Sequence, residues 1–294
     1  MIHVSLKPSI KPGRKPTEAS RKKVYERYFV KLRKFATRRY ATFDRWLLRR
    51  IYRARDRHFP PLTIISLPKS GSVYLQTALR RTLRIPMIKF DAGGTFDTSL
   101  RYFPLRQFAK GNALTRVHML ARPHLVQALR HSGILKIMVL IRDPRDAIIS
   151  WSKHVDRNLT SRGITGAIID VEMELPDDFA DWTSHDRLRW QIKNTLPRFC
   201  EWIQGWVDLS ADSDVQIEFF DFADMAGQEG AFVERVLRYF GIDYDPAWVI
   251  VPDAKPGRHN ITSLQRSHLD PDLQALADSI IPTKLLQRFN WDKR

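Results

Sequence analysis

The segment Pro68-Lys69-Ser70-Gly71-Ser72-Val73-Tyr74 gathers the residue types that hold an anion. Gly71 lets the backbone turn closely, Ser70 and Ser72 put hydroxyls on both sides of it, and Lys69 adds a cation. A helix beginning there would contribute its unpaired N–H groups and complete a cradle for a phosphate-like group. The pattern is not a Walker A loop, because Lys69 precedes the glycine and the first glycine of G-x-x-x-x-G-K-[ST] is missing. An ordinary ATP or GTP hydrolase is therefore disfavoured. A second cluster, Arg142-Asp143-Pro144, follows directly on the apolar run Ile134–Ile141. Arg142 has no packing reason to end such a run, and its planar fork of donors can reach a neighbouring anion. Ser150 lies eight residues further on. Two such groups, each at the end of an apolar run, point to a donor molecule with two separate charged groups.

Both clusters sit in the same local context. Leu62–Leu67 reads as a short buried strand bounded by Pro68, and Val73–Leu83 continues with helical spacing. Ile134–Ile141 reads as a second strand, followed by a helix over Arg145–His154 with Asp143 as N-cap and Pro144 as first helical residue. Val215–Phe219 is a third strand, and Glu229–Phe240 a helix with Gly241 suited to its C-terminal side. Strands alternating with helices predict an α/β fold: a single P-loop-like domain with a central, mostly parallel sheet flanked by helices. Ligands of such sheets bind outside the carboxyl ends of the strands, where both clusters fall.

The chain has 294 residues, 43% hydrophobic and 28% charged, with a formal charge of +17. It is long enough to bury a core without disulfide or metal staples. Its one cysteine, Cys200, cannot form an internal bridge, and no Cys/His cluster has zinc-ligand spacing, so no metal site is expected. The longest apolar run, Ile134–Ile141, is far short of the ~20 residues of a membrane span. The first residues lack the apolar core of a secretory signal, and a cytoplasmic protein is the expectation. The charge is concentrated: residues 1–58 hold 19 of the 49 Lys+Arg but only 4 of the 32 Asp+Glu. Two domains follow, a basic arm over 1–58 and a nearly neutral globular body over 59–294. Residues 5–20 are rich in Pro, Lys and Ser/Thr and read as a disordered lead-in. From Val24 to Ile51 aromatic and aliphatic residues recur at three- and four-residue steps among Lys and Arg, the pattern of a basic amphipathic helix. Its apolar face either packs on the body or lies in an anionic membrane surface, which would make the protein peripheral at the inner face of a membrane. Nucleic acid is the weakest of the partners considered.

The stretch LTIISLPKSGSVYLQTAL resembles the 5′-phosphosulfate loop of the sulfotransferase family (Y-P-K-S-G-T-T-W), and KIMVLIRDPRDAIISWSKH resembles its 3′-phosphate motif. Further on, IEFFDFADMAGQEGAFVERVLRYFGI is similar to the family's L-Y-Y-E-D-M stretch and the helix after it, so the resemblance covers roughly residues 60–290. It implies a transferase that takes a sulfuryl group from 3′-phosphoadenosine 5′-phosphosulfate (PAPS), leaves adenosine 3′,5′-bisphosphate and needs no metal. By position, Lys69 contacts the bridging oxygen and leaving phosphate, and Ser70, Gly71, Ser72 and Val73 hold the 5′ group. Tyr74 stands where the family often has a Trp against the adenine, Arg142 and Ser150 hold the 3′-phosphate, and Phe220 replaces an adenine-contacting Tyr. The family's R-K-G motif has a partial counterpart in Lys255, Gly257 and Arg258. Leu114-Thr115-Arg116-Val117-His118-Met119-Leu120 resembles the K-T-H-L segment, which makes His118 the base and Arg116 a supporting cation. Ser72-Val73 in place of Thr-Thr removes one hydroxyl from the cradle and places more weight on backbone N–H groups.

Residues 84–112 and 155–190 fall between the donor motifs, read as loop-rich, and are the expected acceptor walls. Asp91, Asp97, Asp170, Glu172 and Glu174 in them either bond sugar hydroxyls or are solvated loop carboxylates. A glycan or glycolipid is the preferred acceptor, with a small phenol or alcohol as the alternative. Two other classes stay open at this level: a nucleotide-dependent kinase, and a non-catalytic protein that binds membrane or RNA through its arm.

Overall fold

A computed structural model describes residues 58–94, 96, 99–252 and 269–293. Nearly all of the basic arm lies outside the described residues, as do Asp97 and the Lys255-Pro256-Gly257-Arg258 loop. The element order is β1 (Leu62–Ser66), α1 (Ser72–Leu83), α2 (Tyr102–Phe108), β2 (Leu114–Val117), α3 (Pro123–His131), β3 (Lys136–Ile141), α4 (Pro144–Val171), α5 (Ser184–Asn194), α6 (Leu196–Asp212), β4 (Gln216–Asp221), α7 (Phe222–Met225), α8 (Glu229–Tyr239), α9 (Pro271–Ile280) and α10 (Thr283–Arg288).

The four strands form one sheet in the order β2-β1-β3-β4, and every pairing is parallel. All five residues of β1 are buried, as a strand covered on both faces must be. The chain leaves β1 toward β2 on one side and returns past it to β3 on the other. The crevice at the carboxyl ends of β1 and β3 is therefore the topological switch point of the sheet.

Strand alternation divides the apolar core into two layers. Leu62 and Ile64 of β1, Leu114 of β2, Met138 and Leu140 of β3 and Phe220 of β4 pack with α1 and α8. Ile65, Val117, Ile137, Val139 and Ile141 pack on the other face, with α4, α6 and the aromatic residues Trp202, Trp206 and Trp291. α8 ends as expected at Gly241 (φ 70°), with the Ile242 N–H donating to the Leu237 carbonyl and the Gly241 N–H to that of Arg238. This is the glycine-dependent helix stop that satisfies the last carbonyls.

β2 and the long helix α6 were not among the elements expected from periodicity. The expectation that 155–190 is loop-rich is corrected: α4 runs on to Val171 and α5 begins at Ser184. The helical pattern there is hidden because Gly163 interrupts it with a backbone at φ 67°, ψ −169°.

Asp143 caps α4 as expected, its carboxylate accepting from the Arg145 N–H at 2.9 Å, with Pro144 in the first turn. The same carboxylate takes two further bonds from the Arg145 guanidinium, at 3.0 and 2.8 Å. Arg145 also donates to Asp278 of α9 (2.9 Å) and to the Trp291 carbonyl (2.7 Å). This buried pair ties the start of α4 to the C-terminal segment. Removing one partner strands the other charge, so Arg145→Met is expected to cost about 3–5 kcal/mol in urea unfolding. A loss below about 1 kcal/mol would place the tie elsewhere.

Candidate active site

The site is built from the face of the sheet that α1 covers. Arg116 and His118 are two residues apart, so they share a face of β2 and its continuation with Leu114, and Ser66 shares that of β1 with Ile64. In β3 the same alternation carries Arg142 onto this face, one residue past the strand. The sheet's pleat thus brings three separate sequence motifs to one crevice.

Between β1 and α1 the chain makes two left-handed turns, at Lys69 (φ 67°) and Gly71 (φ 79°). A Cβ on Gly71 would lie 2.6 Å from the Met225 methyl and 2.8 Å from the Phe222 ring, so both φ and close packing require glycine there. Gly71 caps α1 without a side-chain hydrogen bond, and the first turn holds no acid. Among the described residues no backbone carbonyl accepts from the N–H groups of Gly71, Ser72 or Val73. These donors and the helix dipole make a cradle that could receive an anion. The Ser70 hydroxyl turns inward and donates to the Leu67 carbonyl at 2.7 Å, so it shapes the loop instead of lining it. Ser72 is buried, and Val73 is 48% exposed at the rim.

Arg142 closes the loop from across the crevice. Its Nη1 donates to the Lys69 carbonyl at 3.1 Å, and its guanidinium lies 4.2 Å from the centre of the Phe222 ring. Ser150 lies half-buried in α4. Burial lowers the Lys69 ammonium to a pKa of about 8, with the charges of Arg157 and Arg142 acting in the same direction and Asp170 against them.

His118 stands just past β2. Its Nδ1 lies 2.6 Å from the Ser66 carbonyl, an oxygen that can only accept, so Nδ1 carries the proton. Nε2 keeps its lone pair and faces Arg116 Nη1 at 3.3 Å. Burial holds the imidazole down at a pKa of about 4, with the Ser66 carbonyl opposing and Arg116 assisting. Arg116 is itself fixed by Gln76 of α1 (2.9 Å), and its Nη1 lies 3.5 Å from the Ser72 hydroxyl. Burial lowers its pKa while Asp91 raises it. The indoles of Trp202 and Trp206 both donate to the Met119 carbonyl, pinning the chain immediately after His118.

Two expected adenine contacts are corrected. Phe220 is fully buried between Phe232 and Tyr239, one pleat too deep in β4 to reach the crevice. The register pairs Ile141 with Asp221, which puts Phe222 level with Arg142. Phe222, itself only 3% exposed, is the ring on which the Arg142 guanidinium rests, two residues further along the strand than Phe220. Tyr74 is 3% exposed in the core, and its hydroxyl donates to the Pro252 carbonyl at 3.0 Å. Of the carboxylates expected in the acceptor walls, Asp91 is buried and acts on Arg116, while Glu172 and Glu174 are exposed.

The acids at the ends of β3 and β4 are engaged in structure. Asp143 is bound by Arg145, and Asp221 caps α7 and accepts from the Trp291 indole. Neither is positioned as the magnesium ligand a kinase would need there. Elsewhere, exposed His185, Asp270 and Asp272 bring ligand atoms within 4.8 Å of one another, a grouping no sequence spacing announced, and Asp272 is paired with Arg189. No described helix is long and apolar enough to cross a membrane.

The sulfotransferase domain family matches residues 59–251, and the chain belongs to that family. The fold is similar to that of mouse sulfotransferase SULT7A1 complexed with PAP, at 15% identity over 75% of this chain and 82% of that one, with a TM-score of 0.47. A sulfotransferase from Alicyclobacillus acidocaldarius aligns at 15% identity over 75% and 92% of the two chains, TM-score 0.45. Retinol dehydratase in complex with retinol and PAP aligns at 12% over 75% and 80%, TM-score 0.44. Comparison with curated proteins finds no match.

An anion placed in this cradle stabilises the protonated form of Lys69. Binding of adenosine 3′,5′-bisphosphate near pH 8 is therefore expected to take up a fraction of a proton, and affinity to fall as pH rises above about 8. Calorimetry in two buffers of different ionisation enthalpy measures the uptake. No uptake, or tighter binding at higher pH, would remove Lys69 from the anion site.

Proposed function

We propose that this sulfotransferase uses PAPS as donor and passes its sulfuryl group to a hydroxyl acceptor. The observation that supports this most is the joining of the Lys69–Val73 loop to Arg142, with His118 and Arg116 on the same face of the sheet. In this reading the N–H groups of Gly71, Ser72 and Val73 hold the 5′ group, and Lys69 meets the charge that develops on the leaving phosphate. Arg142 and Ser150 hold the 3′-phosphate, and the loop with Lys255, Gly257 and Arg258 offers it a further cation, from either Lys255 or Arg258. The donor supplies an activated sulfuryl group on a phosphate. The acceptor oxygen must lie in line with the bond that breaks, and the crevice sets that direction by holding the donor at both ends.

His118 is the base in this scheme. The Ser66 carbonyl fixes its tautomer and leaves Nε2 as the proton acceptor, and Arg116 orients that face of the ring. A buried neutral imidazole needs no deprotonation before it works. Activity should therefore stay on as pH falls through the usual histidine range and fail only toward about 4, where His118 takes a proton. The alkaline limb of kcat/KM belongs to Lys69, which in the free enzyme loses its charge as pH rises through about 8.

The acceptor in this proposal is a glycan or glycolipid, with a small phenol or alcohol as the alternative. The basic arm brings the enzyme to an anionic membrane surface on the cytoplasmic side, next to lipid-linked saccharides. Transfer of labelled sulfate from PAPS to a panel of glycans, lipids and phenols tests the donor and the acceptor together. Co-sedimentation of the full chain with anionic vesicles tests the arm, and no binding at low salt would contradict its role.

Adenosine 3′,5′-bisphosphate is expected to raise the melting temperature where ATP does not, and Arg142→Ala to abolish that shift. His118→Ala is expected to keep the bisphosphate affinity and lose turnover by about 10²–10⁴-fold. Stabilisation by ATP alone would refute the donor assignment. Retained turnover in His118→Ala would remove His118 as base.

A further inference from the structure

Ser72 and Gln76 stand one turn apart in α1, so they share a face of that helix. The face is buried, with Gln76 only 9% exposed, and both residues meet the same side chain, Arg116 of β2. The Arg116 Nε donates to Gln76 Oε1 at 2.9 Å, while Nη1 lies 3.5 Å from the Ser72 hydroxyl and 3.3 Å from His118 Nε2. A guanidinium has donors only, so the Gln76 amide must turn its oxygen toward Arg116. By the same limit His118 Nε2 is the acceptor in its contact with Nη1, in agreement with the tautomer that the Ser66 carbonyl selects.

The guanidinium is a rigid plane, so anchoring Nε fixes the direction in which Nη1 points. Without that anchor the long side chain could swing away from the imidazole. The bond also joins two parts of the crevice, because α1 begins with the N–H groups of the cradle and β2 leads into His118. It holds the one in register with the other. The chemistry of the anchor matters as much as its place. Gln76, Ser72 and His118 are all uncharged partners, since burial keeps the imidazole neutral down to about pH 4. An amide accepts from the guanidinium without cancelling its charge, which a carboxylate at position 76 would do. The buried Asp91 favours the charged form of Arg116. A positive charge is thus kept beside the start of α1, where the helix dipole also favours an anion.

We propose that Gln76 is a positioning residue for Arg116: its neutral amide anchors the guanidinium against His118 Nε2, ties the cradle end of α1 to the strand before His118, and leaves the charge of Arg116 available to an anion. Gln76 acts through Arg116 and is not itself a ligand contact. The anchoring stands apart from the donor and base assignments; its consequences for bisphosphate affinity and for turnover rest on them.

The test uses the full chain labelled with nitrogen-15 at arginine and histidine. The Arg116 Nε resonance is identified by its loss in Arg116→Lys, and the His118 Nε2 resonance by its loss in His118→Ala. Gln76→Met keeps a side chain of similar volume in α1 but removes the acceptor, whereas Gln76→Glu restores an acceptor and adds a charge. In Gln76→Met the Arg116 Nε–H should exchange with water about tenfold faster or more, and the His118 Nε2 resonance should move. Both should return toward the wild type in Gln76→Glu, a rescue that lost packing alone would not show. At neutral pH Gln76→Glu should bind adenosine 3′,5′-bisphosphate about tenfold more weakly. Gln76→Met should keep that affinity within about twofold and lose about 10–100-fold in kcat. Unchanged Arg116 and His118 resonances in folded Gln76→Met would overturn the proposal, as would Gln76→Glu binding the bisphosphate as tightly as the wild type does. Resonances that respond as expected in a protein that binds no bisphosphate would support the anchoring and refute the donor assignment instead.

Discussion

The hydrogen bond from Arg142 to the Lys69 carbonyl is the contact on which the crevice depends. It spans the switch point of the sheet and joins the loop after β1 to the loop after β3. Lys69 is held in a left-handed conformation that costs a residue with a Cβ about 1–3 kcal/mol. A carbonyl so placed is offered to Arg142, a residue only 5% exposed whose guanidinium rests on Phe222. Strain in the loop is offset by a charge-assisted bond and a cation–π contact, and the result is that the N–H groups at the start of α1 point into the crevice. Arg142 is therefore a clamp on the loop as well as a cation beside it.

The electrostatics follow from the same arrangement. Lys69, Arg116 and Arg142 converge on a helix N-terminus without an acid in its first turn. The acids closest along the chain are engaged elsewhere, Asp143 by Arg145 and Asp221 by its cap and by Trp291. A site with this balance favours an anionic ligand, and Lys69 is lowered to about 8 chiefly by its removal from water, with the charges of Arg157 and Arg142 adding to that effect. The +17 of the whole chain has little part in this. Most of it lies in residues 1–58, while the body that holds the crevice is close to neutral.

Much of this was legible in the sequence because it is local. β1 and β3 announce themselves as apolar runs, Asp143 and Pro144 as a helix start, Gly241 as a helix stop, Lys69 and Gly71 as parts of an anion-holding loop, and Arg142 as a charge with no packing reason to end an apolar run. What was not legible is set by pairing across the sheet. β2 is four residues long and carries Arg116 in its middle, so its strand character appears only when β1 lies beside it. Phe220 and Phe222 are both aromatic, and only the register of β4 against β3 decides which reaches Arg142. The return of α4 at Gly163 was hidden for a related reason. A glycine inside a polar stretch looks like loop, and the contact between Asn158 and Asp170 exists only after the chain has doubled back.

The central claim is that two loops distant in sequence act as one anion site because Arg142 clamps them. Titration of the nitrogen-15-labelled full chain with adenosine 3′,5′-bisphosphate tests it most directly, read at the backbone amides of Gly71, Ser72 and Val73. The account predicts large, saturable shifts of these three resonances, lost in Arg142→Ala while the rest of the spectrum stays folded. Shifts that persist unchanged in Arg142→Ala, or amides that do not respond to the bisphosphate at all, would contradict it.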